Sequence, residues 1–357
     1  MIPRKRRRYA LVVISCLACF ACTEDDTSDS GTSRVDQEQF LQNTSDLITK
    51  EYLQLKEEAE ELSLLLDSLG MQPSLQRLQA AKMQLKKTWL QWQNVSYFEL
   101  GPAENSSLRS SINIYKTDTT QIEQNIASGN YNLDQVAMKD AKGFPALDYL
   151  LNAYEESLVI NKIQQQTNRV QYLQAVVSDL RSKVSEVSNA WGTYKGEFDR
   201  NTGTDVGSST GALVNALNQH HERFFRDNKI GIPLGVRSAG IARPDFVEAF
   251  YGNYSLELAV ANFSAMKQLY LGKNGYGLDD YLKALGAEEL NLSIVNQINA
   301  IELKLNALTD PLEDQILSNS AAVQQAYNEI QKLIVLWKVD MPSRMGILIT
   351  YQDNDGD

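Results

Sequence analysis

Cysteine and histidine are nearly missing from this chain. Three cysteines occur in 357 residues, and Cys16, Cys19 and Cys22 all fall within the first 22. The sequence beyond them can form no disulfide, offers no thiolate nucleophile and supplies no cysteine to a metal. Only two histidines are present, the adjacent His220 and His221. There is no HExxH, so the common zinc ligand sets cannot form. No P-loop or dinucleotide fingerprint occurs. Basic residues are outnumbered as well, 34 against 45 acidic, for a net charge of -11. That balance argues against nucleic acid as a partner.

The basic residues that do occur are concentrated at the start. "MIPRKRRRYALVVISCLACFAC" opens with Arg4 to Arg8 and continues with an apolar run from Tyr9 to Ala21. The run is too short to span a bilayer and reads as a secretory signal. It ends at Ala21-Cys22, followed by the polar, acidic "TEDDTSDSGTS". A small residue before cysteine and an abrupt polar switch resemble a lipoprotein signal, with Cys22 as the expected lipidated residue and a non-lipidated secretory signal as the alternative. Cys16 matches the cleavage box better, but cleavage there would leave an apolar "LACFA" in the mature chain. Loss of 1–21 removes five positive charges and no acid, and shifts the net charge from -11 to -16. The expected organisation is a signal at 1–21, a flexible tether at 22–35, and a folded remainder.

What the folded remainder has in quantity is helical periodicity. Ile48, Tyr52, Leu55, Ala59, Leu62, Leu66 and Leu69 recur in steps of three and four and stop before Gly70 and Pro73, which predicts one long helix with a single apolar stripe. A second helix is expected over Leu75 to Leu100. A third carries Val170, Leu173, Val177, Leu180, Val184, Val187, Trp191, Tyr194 and Phe198. The stretch "NTGTDVGSST" at 201–210 breaks the pattern. Stripes resume at Leu213, Leu217, His220 and Phe224, then at Leu256 to Tyr270, Ile294 to Leu308, and Val323 to Trp337. Near-heptad stripes of this length predict an all-α fold of two packed helical bundles, 36–203 and 204–357. No internal repeat is visible on inspection. "GILITYQ" near the end is the one β-like run.

Three stretches between the stripes are neither periodic nor of low complexity: 98–118, "KGFPALDYLL" at 142–151, and 226–246. Long connections of this kind often carry binding functions. In "KGFPALDYLL", Pro145 suits a first helical position, where a missing N–H costs nothing. Asp148 would then lie in the first turn, favoured by the helix dipole. Leu147, Leu150 and Leu151 would form a buried face. His220 sits on an apolar stripe and reads as a core or interface residue. "DNDGD" at 353–357 has oxygen ligands but lacks the rest of a calcium loop, and reads as a solvated tail.

The order "FELGPAE…SINIY", "KGFPALDYLL", "RDNKIGIPLGVRS" and "VDMPSRMGILITYQDNDGD" resembles the imelysin family, in particular its lipoprotein members from Bacteroidetes. The resemblance implies two related helical bundles with a pocket between them, exported to the cell envelope, and an association with iron uptake. The family signature is Gly-x-His-x-x-Glu, an imidazole and a carboxylate on one helical face. This chain keeps Gly143 but has Pro145 in the histidine position and Asp148 in the glutamate position. Pro145 cannot ligate, which speaks against metal-dependent hydrolysis.

The expectation is a non-enzymatic outer-membrane lipoprotein that binds a metal, a metal complex or a small nutrient between its bundles. Gly143, Pro145, Asp148, Asn113 and Arg237 are the candidate ligand-binding residues, and Asp148 is the candidate metal ligand. The cofactor is left open, with a divalent metal or iron in view. The expected partners are the membrane, through the lipid at Cys22, and outer-membrane uptake proteins. A metal-dependent peptidase and a scaffold subunit of an uptake system are the alternatives.

Overall fold

The long apolar stripes fold as helices. In the computed structural model, which describes residues 36–273 and 275–351, the first is α1 (Gln37–Met71). Asp36 caps it by accepting the Gln39 N–H at 2.9 Å, which satisfies one of the donors a helix start leaves unpaired. All seven stripe residues from Ile48 to Leu69 are buried. Helix α2 (Leu75–Gln93) begins at a second cap, where Ser74 accepts from Arg77 N. It ends earlier than periodicity suggests, because residues 94–97 form a tight turn. The signature segment forms α3 (Gly143–Asn152) and the third stripe forms α4 (Thr167–Arg200).

Helix α4 runs along α1, and α2 covers α1 from another side. Trp191 of α4 stacks on Tyr52 of α1 at 6.5 Å between centroids. Each such aromatic buries a large apolar area at the helix junction. Beyond the 201–208 loop come α5 (Ser209–Gln219), α6 (Ser255–Tyr270), α7 (Glu288–Leu305) and α8 (Ser320–Ile334). α7 pairs with α8, while α6 reaches back to pack on α2. Trp89 of α2 stacks on Phe144 of α3 at 5.3 Å and meets Tyr254, just ahead of α6, edge-on at 5.9 Å. The signature helix and the start of α6 are therefore held by one tryptophan.

Two helices continue as π-helix, His220–Gly231 after α5 and Val335–Asp340 after α8. The wider π turn changes which side chains face inward. A 3.6-residue rhythm puts Phe224 on the stripe with Leu213 and Leu217. Instead Phe225 is fully buried, stacked on Phe263 at 5.4 Å, and Phe224 is only partly buried. The described residues contain no strand. The β-like run near the C-terminus has no regular secondary structure, and Asn215 fastens it by accepting the Thr350 N–H at 2.7 Å. The signal, tether, Cys22 and "DNDGD" lie outside the described residues. No helix among the described residues is long and apolar enough to cross a membrane.

Candidate functional site

The signature helix differs from its expected form in two ways. It starts at Gly143, so Pro145 is its third residue. The missing N–H is still one of the first four, which no intrahelical carbonyl would accept. Asp148 consequently lies in the second turn, beyond the reach of the N-terminal dipole. All of Gly143 to Leu151 is buried, not one face alone. Asp148 accepts from Asn152 Nδ2 and from the Tyr251 N–H, both at 2.9 Å, and from the Gly252 N–H. A Cβ at Gly252 would meet Asp148 Oδ1 at 2.8 Å. Burial dominates over these bonds and pushes the Asp148 carboxyl from an ordinary 3.8 to about 7.

Gly143 is required by two constraints. Its φ is +71°, and a Cβ there would sit 2.1 Å from the Ile112 carbonyl oxygen. Side chains cannot adopt that approach. The glycine thereby seats α3 directly against the Ile112 backbone, next in sequence to Asn113.

Asn113 points the way to a cavity of about 230 Å³, lined by Trp92, Glu99, Arg109, Asn113, Phe224 and Lys229 among others. It lies where α2, the 96–115 connection and the π-helix meet. Asn113 Nδ2 donates to Glu248 Oε1 at 2.8 Å. Glu248 also accepts from Trp89 Nε1 at 3.0 Å and from the Lys229 ammonium. Lys229 donates in addition to Gln93 Oε1 at 2.9 Å. Burial lowers the Lys229 pKa, with Glu248 opposing the shift.

Arg109 is the second buried cation. Its guanidinium lies 4.0 Å from the centre of the Phe224 ring, an arrangement that favours cations. Its Nε bonds Glu99 Oε2, and its Nη2 bonds the Ser96 carbonyl and His220 Nδ1, the last at 3.0 Å. Because Arg109 can only donate, His220 Nδ1 must accept. The ring proton then sits on Nε2 and is donated to Asn262 Oδ1 at 2.7 Å. Asn262 passes the order on by donating to the Gln93 carbonyl and to Ser96 Oγ. Burial and the neighbouring guanidinium hold the His220 pKa well below its usual value, so the ring is neutral. His221 bonds the Ile330 carbonyl at 3.2 Å, and burial lowers its pKa to about 3. Both histidines are core residues, and His220 also positions Arg109.

Of the five residues expected from sequence, Asn113 alone lines this cavity. Pro145 and Asp148 line an adjoining space of about 20 Å³, on the order of one water. Tyr115 borders both. Gly143 shapes the backbone. Arg237 lies elsewhere: its guanidinium donates to Asp227 Oδ2 at 2.8 and 3.1 Å and fastens the loop after the π-helix. Sequence reading missed Glu99, Arg109, Lys229 and Glu248. The first three are charged residues inside the long non-periodic connections, and that was the available signal.

The imelysin profile, Peptidase_M75, matches residues 48–337. The chain belongs to the imelysin family. Two solved structures share the fold. One is a candidate iron-regulated protein A precursor from Parabacteroides distasonis ATCC 8503, with a TM-score of 0.74 and 16% identity over 89% of this chain and 97% of that one. The other is an imelysin-like protein from Psychrobacter arcticus 273-4, with a TM-score of 0.70 and 16% identity over 89% and 100%. No curated protein matches the chain significantly.

The imelysin signature turn here does not fit a metal ion. Pro145 offers no donor, both Asp148 oxygens are committed to protein donors, and the space beside them is water-sized. No group of three His, Cys, Asp or Glu side chains able to hold a metal occurs among the described residues.

Proposed function

We propose that this imelysin is a non-enzymatic binding protein of the cell envelope, holding a small polar molecule in the Arg109–Lys229 cavity. The observation that carries this is a cavity whose walls combine two buried cations, aromatic surface and polar groups without protein partners. The Trp92 indole N–H and Asn113 Oδ1 are both buried with no hydrogen bond among the described residues. Unmet polar atoms of this kind cost stability, and a ligand that pairs with them recovers it. The walls contain no nucleophile–base pair and no metal-ligand set, so binding accounts for the arrangement better than hydrolysis does.

The envelope location and lipid anchoring at Cys22 rest on the sequence of the first 22 residues. A link to iron uptake rests on the family and on the name of the Parabacteroides protein. The cavity reading is tested by thermal-shift screening of the full chain against metabolites and metal ions, beside an Ile114→Trp variant that fills the cavity. Stabilisation by at least one small molecule, lost in the variant, supports it. Equal responses from both proteins sink it.

A further inference from the structure

Two ion pairs border the cavity, one of them fully buried, and their charges cancel. Arg109 is matched by Glu99, and Lys229 by Glu248. Each pair leaves capacity unspent. Arg109 commits Nε and Nη2, so the two N–H groups of Nη1 meet no acceptor among the described residues. Lys229 commits its ammonium to Gln93 and Glu248, which leaves a third N–H. Trp92 Nε1 adds another unpaired donor, on a side chain only 2% exposed. The unspent acceptors are Glu99 Oε1 and Asn113 Oδ1. Ile114, Tyr115 and Phe224 supply apolar wall.

From this we infer the ligand class: a zwitterionic molecule of amino-acid type, its carboxylate facing Arg109 and Lys229 and its ammonium facing Glu99 and Asn113. The inference rests on the cavity being a binding site. A cavity whose own charges cancel penalises a ligand with net charge, because burying an uncompensated charge is costly. A zwitterion brings none and still uses both sets of unspent groups. The volume of 230 Å³ is many times the roughly 10–15 Å³ that one water needs, which leaves room for a molecule of about eight heavy atoms. That is the size of a free amino acid with an aliphatic side chain, for which the apolar wall provides contact.

The experiment is isothermal titration of the full chain with individual free L-amino acids. The best-bound one is then compared with its deaminated acid, its decarboxylated amine and inorganic phosphate. The amino acid should bind, and either truncated analogue should bind about 10-fold or more weakly, the usual cost of leaving buried charged partners unmet. Asn113→Ala should weaken binding by about 5- to 10-fold, and Ile114→Trp should abolish it. Circular dichroism of both variants checks the fold. An acid, amine or phosphate that binds as tightly as the amino acid overturns the zwitterion while leaving a binding cavity. No amino-acid binding by a chain that metabolites stabilise in the thermal-shift screen overturns the zwitterion alone. Silence in both experiments overturns the cavity reading with it.

Discussion

Asp148 and Tyr251 are joined across 103 residues of sequence by one bond, the Tyr251 N–H donating to Asp148 Oδ2 at 2.9 Å. Through it the family's signature helix is tied to the loop that leads into α6. The carboxyl pays for that position with a pKa raised from 3.8 to about 7 by burial. A buried acid of this kind holds its proton better folded than unfolded. Its contribution to stability is complete below pH 3.8, declines as pH rises toward 7, and is constant above. The two histidines act in the opposite sense: their lowered pKa values cost stability as pH falls below 6.5. The prediction is therefore a difference. Melting temperature of Asp148→Asn minus that of the wild type should rise between pH 4 and pH 7 and level off above. A difference independent of pH would show that Asp148 does not titrate there.

Gly143→Ala should be among the most damaging single-methyl changes in the chain. The new Cβ combines a positive φ with a 2.1 Å approach to the Ile112 carbonyl. A loss on the order of 3 kcal/mol or more is expected, read from urea denaturation.

Lys229 and Glu248 should behave as a coupled pair. Lys229→Met leaves Glu248 charged and buried, at a cost of about 3–5 kcal/mol. Adding Glu248→Gln should restore part of that loss, since the remaining group is neutral and can still accept from Trp89 and Asn113. A double-mutant cycle in urea checks it, and additive losses would refute the coupling.

Pro145 and Asp148 line the same small space. Pro145→His combined with Asp148→Glu rebuilds the family's imidazole–carboxylate pair on that face. This double variant should bind Zn²⁺ more tightly than the wild type in a calorimetric titration. Identical titrations would show that this turn does not hold the metal even with both side chains in place.

Cys22→Ser should move the protein from the membrane fraction to the soluble fraction, and intact mass spectrometry of the wild type should show a lipidated N-terminus. An unmodified wild-type N-terminus would refute anchoring at Cys22.

The helices were legible because their signal is local. Ile48 to Leu69 and Val170 to Phe198 repeat at helical spacing, and all the stripe residues but Val170 and Tyr194 are buried. The signature helix was legible in outline but not in register. Nothing near Pro145 reveals that the helix begins two residues earlier, since that start depends on Gly143 fitting against Ile112. The π-helix was hidden for a similar reason. Its composition suits an ordinary helix, and tertiary packing selects the wider turn that buries Phe225 and leaves Phe224 to Arg109.

By itself, then, the sequence determined the all-α class from spacing a few positions long, the family from the order of four separated motifs, and the proline that stands in place of the signature imidazole. The tertiary structure decided the site. Arg109 meets His220 across 111 residues, and Trp89 meets Glu248 across 159. It also decided that Arg237 would hold a loop instead of a ligand. Such meetings depend on how whole helices pack. No local spacing encodes them, and the burial that shifts Asp148, Lys229 and His220 from their ordinary pKa values exists only once the helices have closed around them.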